Sequence, residues 1–332
     1  MTAAARGLTA VAPDLPAVSA SAPMMGGRVG VHVRPRAAAP ASRDAAARDV
    51  ARALRHLAAW ASRLTRFSAT SDLSRLNADR RSAVPVRPTL GALLDWGRAA
   101  EAATDGTVDI ALLDARLAAE GIGVSAGGDP GARRVASRAW SLDRRARGAV
   151  VNRPAGLRFD LDGVGKGWLA DRALRLLSGH AAALVDADGD LALALRAGER
   201  WGIGVDDGRA QTPGDAPAAH LATLELIGAD GPAMTRFGLA TSGTSVHRWA
   251  GDTGWRHHLI DPLTGRPAVT DLVQATVLAA SAREAEALAK AAVILGSESA
   301  FLMLERPSVL GALLLTERGE LLALPATVRW LA

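Results

Sequence analysis

The sequence of 332 residues contains no cysteine and no tyrosine. Without cysteine, disulfides, a thiolate nucleophile and thiolate metal sites are excluded. Lysine is almost absent as well: the 39 basic residues comprise 37 arginines and only two lysines, Lys166 and Lys290. Alanine is abundant, and together with the preference for arginine it indicates a coding bias of the whole genome. The two lysines therefore stand out.

Long apolar runs are also missing. No stretch approaches about eighteen apolar residues free of charge, so no membrane-spanning helix is predicted. Pro13, Asp14 and Pro16 interrupt the apolar residues near the N-terminus, which is unlike the core of a signal peptide. With no cysteine for a lipid anchor, we expect the chain as given to be cytoplasmic, and export of a longer precursor stays open.

The sequence also lacks a cluster of positive charge. The net charge is +5, but the arginines are scattered and no basic block is interleaved with aromatic residues. Proteins that bind nucleic acid concentrate such residues on one face. We therefore expect no nucleic-acid partner.

What is present indicates a globular chain, with 49% hydrophobic and 22% charged residues. Residues 1–23 are rich in Ala, Pro and Ser and are predicted to form a disordered tail. Residues 24–332 are predicted to form one domain. Because strands and helices mix without strict alternation, the expected fold class is α+β, with a mixed sheet and flanking helices.

Individual elements follow from periodicity. Helices are predicted at 42–67 with Ser42 as N-cap, at 90–103 ending at Asp105-Gly106, and at 283–296. Residues 156–180 should form a strand, a glycine turn and a helix, and residues 182–196 a strand, a tight turn and a strand. A turn-rich loop is expected around 127–134. Further strands are expected at 28–34, 201–205, 221–227, 273–279, 309–316 and 321–325.

The segment "DLDGVGKG" (160–167) is a glycine-rich turn before a helix. Such a turn exposes backbone N–H groups, to which phosphates bind readily, and Lys166 adds a flexible point charge. The spacing matches neither a Walker P-loop nor a dinucleotide fingerprint. An ordinary turn between a strand and a helix is at least as good an interpretation.

Three other segments carry candidate polar groups. In "RHHLIDPLTGRPA" (256–268), the adjacent His257 and His258 cannot both face one side of a strand, so at most one faces a site. The segment "LATSGTS" (239–245) offers hydroxyls to a phosphate, or is a plain loop. In "FSATSDLSRLN" (67–77), Ser71 is expected to cap a short helix.

The joint order of these segments is more specific than any one of them. "MGGRVGVHV", "FSATSDLSRLN", "TDGTVDIALL", "FDLDGVGKGWLADRA", "ALVDADGDL", "LATSGTS", "HLIDPLTGRP" and "VLAASAREAEALAKAAVILG" occur in this order, with Trp201 after the fifth. In order and separation they resemble the ApbE family of FAD:protein FMN transferases, over residues of about 24 to 325.

The resemblance implies a single domain of the T-fold-like kind with FAD bound in a cleft. It implies cleavage of the FAD pyrophosphate, attachment of FMN by a phosphoester bond to a threonine or serine of an acceptor protein with an FMN-binding domain, release of AMP, and assistance by Mg²⁺. The alternative is a non-catalytic flavin-binding protein, or one that only hydrolyses FAD, on the same scaffold.

Site residues also follow from the resemblance. His258 takes the position of the base, with Asp109 as a second catalytic candidate, and the carbonyl of Gly163 takes a metal-ligand position. The residues implied in FAD binding are Met25, Thr107, Val108, Asp109, Asp160, Lys166 and Leu259.

The sequence departs from the family pattern at four positions. Glu286 and Lys290 stand where an aspartate and a threonine of the family bind Mg²⁺, and Asp162 and Asp188 stand where glycine is usual. A carboxylate at 286 can still ligate, but a protonated amine has no lone pair. Three interpretations of Lys290 follow: a surface ion pair with Glu286, an ammonium that replaces the metal, or a lost metal site. Mg²⁺ is therefore a doubtful cofactor here.

Overall fold

The computed structural model describes residues 8–11, 17–122, 139–209, 218–245, 248–251 and 254–332. The predicted loop at 127–134 lies outside these ranges. Within them, no helix combines the length and the apolar character needed to cross a membrane.

The described strands are β1 (Leu8–Val11), β2 (Val18–Met24), β3 (Gly27–Arg34), β4 (Ala83–Val86), β5 (Ser141–Arg145), β6 (Gly148–Asn152), β7 (Ala182–Ala187), β8 (Leu191–Leu195), β9 (Arg200–Asp206), β10 (His220–Ile227), β11 (Thr235–Gly243), β12 (Arg248–Gly251), β13 (Gly254–His257), β14 (Ile260–Asp261), β15 (Arg266–Pro267), β16 (Leu272–Ala279), β17 (Val309–Thr316) and β18 (Leu321–Ala323). The described α-helices are α1 (Pro40–Leu64), α2 (Asp72–Ala78), α3 (Pro88–Ala103), α4 (Leu113–Ala119), α5 (Lys166–Leu174), α6 (Ala282–Leu295) and α7 (Ser297–Leu304). Short 3-10 helices lie at Arg175–Leu177 and Pro325–Trp330.

The main sheet has eight strands in the order β18-β17-β16-β11-β8-β7-β3-β2. The α+β class is confirmed, but every neighbouring pair in this sheet is antiparallel, so the strands are not of mixed orientation. Tight hairpins join β2 to β3, β7 to β8 and β17 to β18, and a hairpin permits only antiparallel pairing. Strands β1, β9 and β10 form a second sheet, and β4, β6 and β5 a third.

Both faces of the main sheet are buried. Ala183 and Val185 of β7 belong to the core that also contains α1 and α5, whereas Leu184 packs with Trp201 and Ile203 of β9 on the opposite face. Successive residues of a strand point to opposite faces, so this division follows from the alternation along β7. Helices therefore cover one face, and the sheet containing β9 covers the other.

Residues 18–23 do not form the disordered tail that their composition suggested. They belong to β2, which pairs with β3 in continuous register from Val18 to Met24. This edge strand buries few large side chains and is stabilised by backbone hydrogen bonds, so hydrophobicity gave little sign of it. The predicted start of α1 at Ser42 was also wrong. The helix begins at Pro40 with no side-chain cap, and Ser42 lies inside it.

The strand expected at the start of residues 156–180 is absent. Instead, the amide side chain of Asn77 donates to the carbonyl of Phe159 and accepts its N–H, both at 2.8 Å, as a neighbouring strand would. The N–H of Asp160 is bonded to the carbonyl of Ile110 at 2.7 Å. The remaining helices and strands that were predicted within the described residues are confirmed to within a few positions.

Candidate functional site

A cleft at the N-terminus of α5 collects most of the predicted site residues. It consists of two adjoining cavities that share Asp162, His258 and Lys290. The first is also lined by Thr107, Asp109, Leu112, Arg116, Asp160 and Ile260. The second, which encloses about 420 Å³ including space open to solvent, is also lined by Gly163, Lys166, Asp190, Ala240, Thr241, Ser242, Leu259 and Glu286.

The first backbone N–H groups of α5 are bonded within the protein. The carboxylate of Glu286, which projects from α6, accepts the N–H of Lys166 at 3.3 Å and that of Gly167 at 3.0 Å. The two helices approach so closely that a Cβ on Gly167 would lie 2.4 Å from the carbonyl oxygen of Ala282. These N–H groups are therefore not presented to a ligand phosphate, as the glycine-rich turn alone had suggested, and Glu286 acts as a helix cap supplied by another helix.

The side chain of Lys166 lies in the second cavity and is held by Asp188. Its Nζ donates to Oδ2 of Asp188 at 3.0 Å, in a pair that is 26% and 10% exposed. Burial alone would lower the pKa of Lys166, but the charges of Asp190 and Asp188 outweigh it and raise the pKa. Lys166 therefore stays protonated, and Asp188 fixes the orientation of its side chain at the edge of the cleft.

Asp188 also contacts a second turn, the one between β2 and β3. Asp188 and Gly189 form the β7–β8 turn with φ of +61° and +95°, and Met25 and Gly26 form the β2–β3 turn with φ of +58° and +85°. The two turns touch, because a Cβ on Gly27 would lie 1.9 Å from Oδ1 of Asp188. Met25 does not line either cavity; it lies in the turn next to the residue that holds Lys166.

The loop after α3 supplies Thr107 and Asp109 to the first cavity. Thr104 orients the loop: its hydroxyl donates to the carbonyl of Ala100 at 2.8 Å and accepts the N–H of Val108 at 3.0 Å. The side chain of Val108 is fully buried in the core and does not reach the cleft. Asp109 is 8% exposed, and its Oδ1 accepts the N–H of Ala111 at 2.7 Å, which leaves the second carboxylate oxygen for the cavity.

The two adjacent histidines have different surroundings. Nε2 of His257 is 3.0 Å from the carbonyl of Ala268, and its Nδ1 accepts the N–H of Leu259 at 3.3 Å. Both bonds are satisfied only by the neutral ring with its proton on Nε2, and burial lowers the pKa of His257 in agreement. His258 lines both cavities. The structure thus places His257 in the scaffold and His258 in the cleft.

The "LATSGTS" segment is not a plain loop. Its first five residues belong to β11, where Thr241 lies opposite Thr276 of β16 and the two hydroxyls are 2.8 Å apart. Thr241 and Ser242 line the second cavity from the end of this strand.

Arg116 is a cleft residue that sequence reasoning missed. This arginine of α4 is 6% exposed, and its Nη1 donates to the backbone carbonyl of His258 at 3.0 Å and to Oδ2 of Asp162 at 3.4 Å. Its Nε donates to Glu120 at 2.6 Å. Arg116 therefore ties the segment of the cleft histidine to the turn before α5. Among 37 arginines, nothing in the sequence distinguished it.

Buried carboxyls surround the second cavity. Burial raises the pKa of Asp190 to about 7 despite the opposing charge of Lys166. Burial also raises the pKa of Glu286, and the charge of Asp190 adds to the effect. In the first cavity, burial and the charge of Asp162 raise the pKa of Asp160. The cleft therefore holds its negative charge at a cost, which favours cations or added protons there.

Lys290 reaches the cleft from α6. Its Nζ donates to the backbone carbonyl of Asp162 at 2.9 Å, and a Cβ on Gly163 would lie 2.6 Å from the same Nζ. Burial acts to raise the pKa of Asp162, but the nearby basic groups His258, Arg116, Lys166 and Lys290 outweigh it and lower that pKa below the ordinary value. The ammonium thus lies directly on the turn where the metal-binding carbonyl was expected.

A sequence profile described as the ApbE family matches residues 25–314 of this chain, which is most of its length. The chain belongs to the ApbE family. The resemblance to the ApbE family that the order of motifs indicated is therefore confirmed.

Curated relatives agree with this membership. The chain is 34% identical over 168 residues to the FAD:protein FMN transferase of Treponema pallidum (strain Nichols), covering 47% of this chain and 43% of that protein. It is 32% identical over 168 residues to the protein of the same name from Escherichia coli (strain K12), covering 49% and 44%. The match thus spans less than half of the length of each of these relatives.

Solved ApbE structures share the fold. The apo form of the flavinyl transferase ApbE from Pseudomonas stutzeri has a TM-score of 0.73 at 22% identity, covering 95% of this chain and 96% of that one. The ApbE protein of Thermotoga maritima has a TM-score of 0.76 at 21% identity, covering 95% and 99%. At these identities the likeness concerns the fold alone.

The ApbE resemblance placed Mg²⁺ between the carbonyl of Gly163, Glu286 and residue 290, and the residues present do not fit a divalent cation there. The ammonium of Lys290 lies on the same turn, where it donates to the carbonyl of Asp162, and it has no lone pair to donate to a metal. Both oxygens of Glu286 accept backbone N–H groups. Within the described ranges, no group of three or more His, Cys, Asp and Glu side chains is arranged to hold a metal.

Proposed function

We propose that this ApbE protein is an FAD:protein FMN transferase, which attaches FMN to a threonine or serine of an acceptor protein with an FMN-binding domain and releases AMP. One observation carries the proposal: His258, Asp109, Lys166 and Lys290, from four distant segments, line one continuous cleft. Relatives bearing this activity's name match about half of the chain and support the same proposal.

The cleft offers the groups that phosphoryl transfer requires. Catalysis of such a transfer depends on positioning and on positive charge near the phosphate oxygens. Lys166 and Lys290 both line the second cavity, and Arg116 lines the first. We infer that the FAD pyrophosphate lies across the two cavities, within reach of these cations.

In the proposed reaction, the acceptor hydroxyl oxygen attacks the phosphorus of the FMN half of FAD. A new P–O bond to the acceptor forms while the bond to the oxygen of AMP breaks, and AMP leaves. The hydroxyl proton passes to His258, the only histidine on the described cleft surface. Arg116 holds the backbone of this histidine, and the oxygen of Asp109 not bonded to Ala111 is available to orient the base or the hydroxyl.

The test uses an acceptor peptide that carries a candidate threonine, and the same peptide with alanine at that position. Incubation with FAD should add the mass of FMN, less one water, to the threonine peptide alone. FMN in place of FAD should give no product, because FMN has no AMP to release. Tight binding of FAD with no covalent flavin on any threonine or serine acceptor would favour a non-catalytic flavin-binding protein.

A further inference from the structure

The two lysines of this chain lie in one cavity. Lys166 and Lys290 are separated by more than a hundred positions, yet both line the second cavity of the cleft, and no arginine of the described residues lines that cavity. A compact ammonium concentrates its charge at one point, whereas a guanidinium is broad and planar. The exception to the arginine preference therefore coincides with a place where a small cation is needed.

The contacts of Lys290 are those of a cation seated on a loop. Its Nζ donates to the carbonyl of Asp162, and its terminal carbons and nitrogen lie against Gly163. The backbone of Gly163 has φ of +97°, and a Cβ there would approach the side chain of Lys290 to 2.5 Å. A glycine is required at this point both by its backbone conformation and by the lysine that covers it.

The surface ion pair that helical spacing suggests is not formed. Glu286 lies one turn before Lys290, but its carboxylate is turned towards the N-terminus of α5 and bonds Lys166 and Gly167 there. Among the ion pairs of the described residues, none joins Glu286 to Lys290. The lysine is therefore not explained by pairing along α6.

We propose that the Lys290 ammonium binds the pyrophosphate of FAD at the place where the family pattern has a divalent cation, so that this chain needs no metal there. This inference rests on the proposed function. An ammonium has three N–H donors. One is used by the carbonyl of Asp162, and the other two are available for phosphate oxygens. In this role the charge of Lys290 partly neutralises the pyrophosphate as the bond to AMP breaks.

The test compares FAD binding by the full-length wild type with that of Lys290→Met, each in EDTA and in Mg²⁺. The matched control is Arg283→Met, which removes one positive charge from the same helix, where the guanidinium lies over Trp96 at 4.7 Å and outside the cleft. Circular dichroism establishes that each variant is folded. Mn²⁺ binding in the presence of FAD, followed by electron paramagnetic resonance against FAD alone, provides a readout independent of catalysis.

We expect the wild type to bind FAD equally well in EDTA and in Mg²⁺, and to bind no additional Mn²⁺. Lys290→Met should weaken FAD binding about tenfold or more in EDTA, whereas Arg283→Met should change it by less than about twofold. Wild-type binding of one Mn²⁺ together with loss of FAD affinity in EDTA would overturn the inference. So would FAD binding by Lys290→Met in EDTA that equals that of the wild type.

Measuring covalent flavin on the acceptor distinguishes failure of this inference from failure of the proposed transferase activity. Metal-independent FAD binding that depends on Lys290, without covalent product under any condition, supports the inference on binding and refutes the transferase. Covalent product that requires Mg²⁺ and is unaffected by Lys290→Met supports the transferase and overturns the inference.

Discussion

The carboxylate of Glu286 accepts the backbone N–H of Gly167 at 3.0 Å, which joins α6 to the first turn of α5. A residue that family resemblance placed among metal ligands thus holds two helices together at the cleft. Since both helices contribute cleft residues, the position of the lysines at 166 and 290 depends on this contact.

Removing the carboxylate should destabilise the protein. Glu286→Ala leaves the N–H groups of Lys166 and Gly167 without a partner in a buried place, which costs about 1–3 kcal/mol of the free energy of unfolding. Urea unfolding measures the change. Glu284→Ala on the same helix is the control and should cost less than about 1 kcal/mol. Equal losses in the two variants would contradict a capping role for Glu286.

The pH dependence of stability should reveal Asp190. Its pKa of about 7 lies above the ordinary value of 3.8, so the folded state keeps this proton to higher pH than the unfolded state does. Asp190 therefore makes the free energy of unfolding fall as pH rises from about 4 to 7. In Asp190→Asn this decline should be smaller, so its stability relative to the wild type should rise across that window.

Urea unfolding at several pH values between 4 and 8 tests this, with the exposed Asp230→Asn as control. The control should follow the wild-type profile. A difference between Asp190→Asn and wild type that does not change with pH would show that the carboxyl does not titrate as the structure indicates.

The contact between the two turns should appear as energetic coupling. Gly27→Ala places a Cβ 1.9 Å from Oδ1 of Asp188 and should cost roughly 1–3 kcal/mol. In the background of Asp188→Gly, most of that cost should disappear. Gly26→Ala is the matched control: it is strained by φ of +85° but has nothing within 4 Å, so its cost should not depend on residue 188. Additive effects for Gly27 would contradict the contact.

The adjacent histidines should separate in their effects. His258→Ala should lower the rate of FMN transfer by about 10²–10⁴-fold. His257→Ala removes the ring that bonds Ala268 and Leu259, and should lower the free energy of unfolding by about 1–3 kcal/mol. Transfer rates and urea unfolding of both variants check this. A transfer-deficient His257→Ala of normal stability, beside an active His258→Ala, would reverse the assignment.

The sequence predicted most helices and strands because their apolar periodicity is strong. The helix expected at 283–296 is observed at Ala282–Leu295, and the hairpin in 182–196 is observed as β7 and β8. The prediction of secondary structure failed for segments that are held in place by hydrogen bonds rather than by burial of apolar side chains. Strand β2 has a composition typical of a disordered tail, and the segment at Phe159 is bonded by the side chain of Asn77 rather than by a strand.

The candidate site was predictable in part. Local patterns pointed to Lys166 and to one of two histidines, and the ApbE resemblance selected His258, which the structure places in the cleft. The contacts of Arg116 and Glu286 were not predictable, because each depends on a partner more than a hundred positions away. Position along the chain carries no information about such pairs.

We propose that this protein transfers the FMN half of FAD intact to a protein hydroxyl. The most direct measurement is the ratio of AMP released to covalent flavin formed when the protein is mixed with FAD and its acceptor. Transfer of intact FMN predicts one AMP for each flavin bound, and neither product when the acceptor threonine is replaced by alanine. AMP release without covalent flavin would contradict it and would identify hydrolysis of FAD as the activity of this cleft.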